Sequence, residues 1–375
     1  MKKFLFILFF AVYLTPVNIY SNDGVFFMRG NQLIPMFESE ISLKKEVLTI
    51  ERIDDYKFKV KVEYDLFNPG NERTIDVGFE ALSPSGDANG TPVNGAHPYI
   101  FEFTVNMNDE SVPYEVAIVS DSLYYVNGKF ISKSAAQVIS EMENPNEVDF
   151  NYVYHFKAPF KKGSNKIIHT YIFNSSTSTD SHYSLEYVLT AANRWANRQI
   201  DDFTLNLKLN QFSDVIINSS FFDNPSDWKM KGKGKYVNVG ENYLGYLGKD
   251  NFRFYSQTGD LTFKKINFKP AGELFIYSPP YYAYDHSDEF DYKSGYLPYS
   301  IEFYDRLQSA IDNESLDVLK NFPYALRGMK FNTKNVSDFY SQLDWYMPED
   351  GLTPEKIKLT ETEQNWLKNL SVKKY

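Results

Sequence analysis

The sequence predicts a mainly β protein, with a β-sandwich-like body of one or two lobes followed by a small α-helical C-terminal domain. Tyr and Phe, which favour pleated strands, number 29 and 31 among the 375 residues. Short segments of period-two alternation recur up to about residue 277, with turn residues between them. From about residue 300 the apolar spacing becomes helical.

The N-terminal residues 1–21 have the layout of a secretory signal peptide. Lys2 and Lys3 precede an apolar run over Phe4–Leu14, and a polar stretch follows. The apolar run is too short to span a bilayer comfortably, and an uncleaved N-terminal anchor is the alternative. We expect an exported protein that begins near Asn22 and has no membrane span after cleavage. Its location would be the periplasm or the cell surface.

Charge and cysteine content exclude several classes of protein. The net charge is −10 and the isoelectric point is about 5.2, which disfavours the basic surface of a nucleic-acid binder. The chain has no cysteine, so it forms no disulfide, no thiolate metal site and no cysteine nucleophile. A lipoprotein with a modified N-terminal cysteine is excluded for the same reason.

The clearest strand lies in the segment DYKFKVKVEYDLFNPG, which begins at Asp55. Its apolar side chains occupy the even positions from Tyr56 to Leu66, and charged side chains occupy the odd positions between them. This alternation predicts a strand with one buried face and one solvated face. Asn68, Pro69 and Gly70 then predict a turn.

Further strands and one helix follow along the body. Apolar side chains alternate over 101–107 and again over 205–209. Asn127-Gly128 predicts a tight hairpin, and a second hairpin is expected around Thr258-Gly259-Asp260. The segment SAAQVISEM, residues 134–142, predicts a short helix.

The composition changes at residues 278–300, which are rich in Pro, Tyr and Asp and are typical of a linker. Beyond it, Phe303, Leu307 and Ile311 are spaced four apart and predict one face of a helix. Asn335 is expected to cap a later helix. Thr360 with Glu363 has the spacing of a capping box, which predicts the start of a last helix.

The C-terminal segment resembles the YARHG domain, a small extracytoplasmic bacterial module, over roughly residues 305–372 of a domain expected at 301–375. The resemblance rests on the stretch NFPYALRGMKFNTKNVSDFYSQLDWY and on the closing LTETEQNWL. The matching positions are Tyr324, Ala325, Gly328, Phe331, Phe339, Tyr340, Trp345, Tyr346 and Pro348.

The segment departs from the family pattern at the motif itself. Leu326-Arg327 replaces the Arg-His pair, and Met329 replaces an aromatic residue. Any function carried by the family histidine is therefore missing here. We expect Pro323 at the first turn of a helix and Gly328 at its left-handed end.

Residues 22–277 resemble a secreted bacterial domain-of-unknown-function family, number 4424. The pieces that carry this resemblance are NDGVFFMRGNQLIP, YDLFNPGNERTIDVGFEA and SLEYVLTAANRWANRQIDDFTLNL. It implies an all-β, exported body with no established enzymatic activity.

The aromatic residues of the C-terminal unit are the first candidate binding site. Tyr324, Trp345 and Tyr346, together with Trp366, would form a stacking platform for a sugar or a peptide if they were exposed. The favoured interpretation is that they form the core of a module of about 70 residues, which needs large side chains to bury enough surface. If the unit recognises a ligand, Arg327 and its neighbour should distinguish it from its relatives.

The loop at 82–99 is the second candidate. Asp87, Asn89 and His97 could converge on a ligand or a cation, although a solvated connecting loop is favoured. The acidic run at 285–291 could bind calcium weakly, but ordinary linker charge explains it better. We predict no resident metal and no cofactor.

The favoured function is an exported, non-enzymatic protein that binds or supports components of the cell envelope, either another protein or a glycan. No nucleophile-elbow, zinc-protease or phosphate-loop motif occurs in the chain. The alternative is a hydrolase of cell-wall or other glycan, with aromatic subsites and paired carboxylates. A third hypothesis is a subunit that joins an envelope assembly through a strand edge.

Overall fold

The computed structural model describes residues 25–26, 29–31, 33–36, 40–120, 124–178, 181–240, 251–280, 289–302 and 307–372. The predicted signal peptide lies outside the described residues. Within the described part, no helix is long and apolar enough to cross a membrane.

The secondary structure is dominated by strands, which confirms the predicted fold class. The strands of the first half are β1 (Val25–Phe26), β2 (Arg29–Asn31), β3 (Leu33–Pro35), β4 (Ser42–Arg52), β5 (Lys57–Asn68), β6 (Arg73–Ala81), β7 (Ser85–Gly86), β8 (Ile100–Met107), β9 (Glu110–Ser111), β10 (Glu115–Val119), β11 (Tyr125–Val126) and β12 (Lys129–Phe130). Those of the second half are β13 (Asn151–Phe160), β14 (Gly163–Asn174), β15 (Ser176–Ser178), β16 (Ser181–Val188), β17 (Ile200–Lys208), β18 (Ser213–Asn218), β19 (Trp228–Met230), β20 (Gly234–Asn238), β21 (Asn251–Ser256), β22 (Asp260–Phe268), β23 (Leu274–Ser278), β24 (Ser309–Ala310) and β25 (Ser371–Val372). The helices are α1 (Ala135–Glu141), α2 (Asn313–Lys320), α3 (Phe322–Leu326), α4 (Lys334–Ser341) and α5 (Glu361–Asn369).

Three large sheets form most of the described body, and β11 and β12 form a separate two-stranded sheet. An eight-stranded sheet has the order β19-β22-β17-β4-β5-β14-β8-β9, and a four-stranded sheet has the order β10-β13-β6-β3. A nine-stranded sheet runs β20-β21-β18-β23-β16-β15-β1-β7, with β2 paired to β16. Inward side chains of all three sheets join one hydrophobic cluster.

Strand β5 follows its sequence pattern closely. The side chains at Phe58, Val60, Val62, Tyr64 and Leu66 are buried, and the charged residues between them face outward or lie half-buried. The partners β4 and β14 pair with it antiparallel, which places all three in the middle of the eight-stranded sheet. Tyr56 precedes the strand and is exposed.

The predicted alternation over 101–107 is wrong at residue 101 and holds over the rest of strand β8. Phe103, Val105 and Met107 are buried, but Phe101 is 39% exposed. Glu102 has a left-handed backbone with φ of 51°, and the register to β14 shifts at this point. The bulge adds one residue, so side chains before it point to the opposite face.

The hairpin predicted around Thr258-Gly259-Asp260 is wrong. The turn exists, but β21 pairs with β18 and β20 in the nine-stranded sheet. Strand β22 pairs instead with β17 and β19 in the eight-stranded sheet. The chain therefore crosses between sheets at this turn, because each strand finds its partners far away in sequence.

The other local predictions for the body are confirmed. Asn127 and Gly128 take φ of 51° and 76° and join β11 to β12 as a tight hairpin. Helix α1 begins after Ser134, whose side chain forms a capping box with Gln137. Both features depend on neighbouring residues, so local sequence is sufficient to predict them.

The C-terminal module contains helices α2 to α5, and two of its predicted details are wrong. Leu307 and Ile311 lie in no helix; instead β24 pairs parallel with β25 and ties the start of the module to its end. Phe303 lies outside the described residues. The N-cap of α4 is Thr333 rather than Asn335, which lies inside the helix.

The described part of the predicted linker packs into the module. Phe290, Leu297 and Tyr299 are buried in the same hydrophobic cluster as the helices. Phe212 and Tyr255 of the body belong to this cluster as well. The rings of both lie against Tyr299, at centroid distances of 5.7 and 5.8 Å, so body and module share one core at their contact.

Candidate functional site

A groove lies where the body meets the C-terminal module, with a volume of about 530 Å³. Body residues from the loops after β17 and β21 form one side, and the module segment from Glu349 to Thr360 forms the other. We call it the inter-module groove. Its lining residues are Gln211, Phe212, Gln257, Thr258, Arg327, Glu349, Leu352, Lys356, Ile357, Lys358, Leu359 and Thr360. A concave site of this size, formed at a contact between units, is typical of ligand-binding clefts.

Arg327 makes the most hydrogen bonds among the cations of the groove lining. Its guanidinium donates to both carboxylate oxygens of Glu363, at 2.8 and 2.9 Å, and Nη1 also donates to the carbonyl oxygen of Pro323 at 2.7 Å. The side chain of Glu363 is fully buried. The guanidinium carbon lies 5.0 Å from the ring centroid of Phe212, so one arginine connects the module interior to the body.

The predicted capping box positions this ion pair. Thr360 Oγ1 accepts from the amide of Glu363, and the Glu363 carboxylate accepts from the amide of Thr360. The same carboxylate therefore caps α5 and binds Arg327. The capping box is confirmed, but its link to Arg327 depends on the tertiary contact between α3 and α5.

Gly328 shapes the turn after α3 and has φ of 87°, as the sequence predicts. A Cβ atom there would lie 2.3 Å from the carbonyl oxygen of Met347 and 2.4 Å from Nζ of Lys233. The position therefore needs glycine both for its left-handed backbone and for the close approach of a neighbouring chain segment.

A second polar cluster holds the module on the body. Arg52 at the end of β4 donates to both carboxylate oxygens of Glu302, at 2.6 and 3.1 Å. Asn210 donates to the same carboxylate at 2.7 Å, and His182 Nε2 lies 3.3 Å from it. We call these four residues the interface clasp.

The clasp strongly favours the ionised form of Glu302. Burial raises the pKa of this carboxyl, but the hydrogen bonds from His182 and Arg52 and the arginine charge outweigh burial and bring the pKa to about 2. The carboxylate is therefore ionised at neutral pH and keeps its hydrogen bonds to the body. The clasp joins the start of the module to the body at Asn210, the residue before Gln211 of the groove lining.

The predicted aromatic residues lie away from the groove lining. Trp345 is fully buried and its Nε1 donates to the carbonyl oxygen of Leu297 at 2.6 Å. Tyr346 is half-buried and donates to the carbonyl oxygen of Met329, and burial raises its pKa to about 12. Tyr324 is also half-buried. Trp345 thus presents no ring face to solvent, and its binding role stays an untested prediction.

The three candidates of the 82–99 loop differ in burial and in their hydrogen bonds, and their joint binding role stays a prediction. His97 is buried; its Nε2 donates to the carbonyl oxygen of Leu82 at 3.0 Å, and its Nδ1 accepts from the amide of Tyr99 at 3.2 Å. Burial lowers its pKa to about 4, so the ring is neutral and both nitrogens are occupied. Asn89 accepts from the amide of Thr91, a local turn, while Asp87 is exposed.

Metal binding finds no support in the described part of the chain, where no group of three or more His, Asp or Glu residues could hold an ion. Of the acidic run at 285–291, residues 285–288 lie outside the described residues. Asp291 accepts from the amide of Lys293 and from the hydroxyl of Ser294.

Comparison with known families finds the YARHG domain, whose model matches residues 300–373. The C-terminal part of the chain is therefore a YARHG domain, as the sequence motif predicted. The match does not reach the body, so membership of residues 22–277 in the domain-of-unknown-function family stays a prediction. No curated protein matches the chain significantly in sequence.

Similar solved structures include a protein from Legionella pneumophila that is proposed to bind nutrients, with 16% identity, a TM-score of 0.47, and coverage of 93% of this chain and 99% of that one. Baculovirus P35 has 11% identity and a TM-score of 0.31, with coverage of 64% and 98%. An M1 zinc metallopeptidase from Deinococcus radiodurans has 8% identity and a TM-score of 0.27, with coverage of 65% and 43%. At these scores the likenesses carry no functional conclusion.

Sequence reasoning found Arg327 but missed most of the groove. Phe212 belongs to a loop of the body, Lys356 ends a short 3-10 helix of the module, and Lys358 lies in the irregular stretch after it. These residues have no shared motif or spacing, because the docking of the two units is what brings them together.

Proposed function

We propose that this chain is an exported, non-enzymatic binding protein of the bacterial cell envelope, and that the inter-module groove is its binding surface. The partner would be an envelope protein or a glycan. One observation carries the proposal: a groove of about 530 Å³ is lined by residues of both units, and one of them, Arg327, forms an ion pair with the buried Glu363. Signal-peptide features at the N-terminus and the YARHG domain support export.

A preformed groove favours binding because little conformational freedom is lost when the ligand enters. Arg327 and Glu363 hold one wall by two charge-assisted hydrogen bonds, and Lys233 of the body pairs with Glu349 at the rim. Lys235 donates to the carbonyl oxygen of Tyr346 at 3.3 Å. The body and the module are thus tied together on several sides of the groove.

The hydrolase alternative is not favoured by the described groove. Glycoside hydrolysis needs two carboxyl groups facing a sugar across a gap of about 5–10 Å. Glu349, the one acidic residue of the lining, pairs with Lys233, and Glu363 is buried against Arg327.

The proposal is tested with the secreted chain beginning near Asn22 as bait in envelope extracts. We expect the double variant Lys356→Glu/Lys358→Glu to lose the envelope components that the wild type retains. The matched control is the double variant Lys161→Glu/Lys162→Glu, which makes the same change in charge at two exposed lysines in the turn between β13 and β14. Equal capture by all three proteins would contradict the groove as the binding surface. Turnover of an envelope glycan at ordinary enzyme rates would contradict the non-enzymatic assignment.

A further inference from the structure

We infer that the inter-module groove binds a short, acidic, extended segment of a partner protein, which pairs with the module along Ile357–Leu359. This inference rests on the proposed function, since it names the ligand class of the same groove. Four properties of the groove carry it: an open strand-like backbone, amide side chains opposite, an apolar wall and an excess of positive charge.

The backbone on either side of Lys358 is extended, at Ile357 and at Thr360, and it is partly open. Ile357 has φ and ψ of −100° and 115°, and Thr360 has −69° and 165°. The amide of Ile357 donates to the carbonyl oxygen of Pro354, and the carbonyl of Leu359 accepts from the Gln364 side chain. By contrast, the N–H and C=O of Lys358 make no hydrogen bond to any described residue.

These open groups have the arrangement that an added strand requires. In an extended chain the N–H and C=O of one residue point to the same side, and those of its neighbours point to the other. The N–H and C=O of Lys358 thus point to one edge of the extended chain, and the backbone groups of Ile357 and Leu359 point to the other edge. A residue of an extended peptide can exchange two hydrogen bonds with such a position, as in β-augmentation.

The opposite wall supplies polar side chains without internal partners. Gln211 and Gln257 line the groove, and their side-chain amides make no hydrogen bond to the part of the chain that the structure describes. Each amide offers two donor hydrogens and an acceptor oxygen. They can therefore bind the outer edge of a peptide backbone that lies against Lys358.

Apolar and charged side chains define what the segment would carry. Leu352, Ile357 and Leu359 are half-buried along the groove and suit one apolar side chain of the segment. In the charged lining, Arg327 pairs with Glu363 and Glu349 pairs with Lys233. Lys356 and Lys358 form no ion pair with a described residue and supply the local excess of positive charge. Because the whole chain carries −10, this local excess of positive charge favours an acidic partner.

An acidic glycan would complement the positive charge of the groove, but the described lining lacks the open aromatic face that commonly binds a sugar ring. Sugar rings are commonly held against open aromatic faces. Phe212 is the one aromatic residue among the described lining residues; it is 3% exposed, and the Arg327 guanidinium lies over its ring. Sugar hydroxyls can bind the open N–H and C=O of Lys358, but they lack the regular spacing of donor and acceptor that an extended peptide presents. The observations therefore favour a peptide.

The test measures binding of labelled, end-capped peptides to the full secreted chain by fluorescence anisotropy. The probe is Asp-Leu-Glu-Val-Asp, compared with Lys-Leu-Lys-Val-Lys and with an acidic probe whose central amides are N-methylated. We expect both changes to weaken binding by about ten-fold or more, roughly 1.4 kcal/mol. Lys358→Glu should weaken the acidic probe similarly, while Lys162→Glu should not. A thermal melt of each variant checks that it is folded.

The outcomes separate this inference from the proposed function. The inference is overturned if the acidic peptide does not bind at up to about 1 mM. It is also overturned if binding is unchanged when the peptide charge is reversed or when Lys358 is replaced. If tetragalacturonate binds through Lys358 and the peptides do not, the ligand class is wrong while the groove remains the binding surface. If neither probe nor envelope extract responds to groove variants, both proposals fail.

Discussion

The body and the YARHG module bury their tryptophan residues in different ways. In the module, Nε1 of Trp366 donates to the carbonyl oxygen of Leu307 at 2.7 Å, and that of Trp345 donates likewise to Leu297. In the body, Trp195 and Trp228 are buried, but their Nε1 atoms have no partner among the described residues.

The difference follows from the backbone that surrounds each ring. Strands of the body use their carbonyls in sheet ladders, so few carbonyls are open to an indole N–H. Leu297 and Leu307 lie in irregular segments, where a carbonyl needs another donor. Aromatic residues of the module therefore supply both buried area and hydrogen bonds between segments. A small domain depends on such contacts because its apolar core is limited.

The largest expected effect comes from removing the buried cation of the module. Arg327→Met leaves the Glu363 carboxylate, which is fully buried, without its ionic partner. We expect the free energy of unfolding to fall by about 3–5 kcal/mol, measured by urea denaturation.

The control for this change is the double variant Arg327→Met/Glu363→Gln. Glutamine is uncharged and still accepts from the Thr360 amide, so most of the loss should be recovered. If the single and double variants are equally unstable, packing rather than the unpaired charge explains the cost.

Acid should lower the stability of the body more than that of the module, because buried histidines lie in the body. Residues 300–373 contain no histidine. Burial lowers the pKa of His97 from 6.5 to about 4. Between pH 6.5 and about 4, His97 is therefore protonated in the unfolded chain but neutral in the folded chain. Stability is therefore complete above about pH 6.5 and falls by about 3 kcal/mol as the pH drops to 4. His169, whose pKa burial lowers to about 3, acts in the same direction.

The variant His97→Asn isolates this contribution, because asparagine can accept from the Tyr99 amide without titrating. We expect it to be less stable than the wild type at pH 7 but to lose less stability between pH 7 and 4.5. Chemical denaturation at the two pH values measures both quantities. Identical pH dependence of the two proteins would assign the acid sensitivity elsewhere.

The smallest expected effect compares one tryptophan from each region. Trp345→Phe and Trp195→Phe remove similar apolar area from fully buried sites. Only the first also leaves a carbonyl, that of Leu297, without its donor. We expect Trp345→Phe to cost about 1–3 kcal/mol more, measured by circular dichroism during urea denaturation. Equal costs would show that the indole hydrogen bonds do not distinguish the two regions.

Local features of this fold are readable from neighbouring residues. The alternation of β5, the Asn127-Gly128 turn and the Thr360–Glu363 capping box each depend on a few adjacent side chains. The bulge at Glu102 escaped prediction because it depends on the register with another strand. The turn at 258–260 was misread because its strands pair in two different sheets.

The candidate site shows the same division. Arg327 was singled out because it replaces a motif residue, and the aromatic core of the module was expected from its size. The groove itself, with Phe212 on one side and Lys358 on the other, was not predicted.

By itself the sequence determined the fold class, the YARHG module and the local turns and caps, since these follow from periodic burial and from hydrogen bonds between near neighbours. Only the tertiary structure decided which strands share a sheet, how Glu302 meets Arg52, and that a groove opens between the two units. Those outcomes depend on side chains separated by as many as 250 positions. Such contacts form when whole surfaces dock, and no local pattern records them.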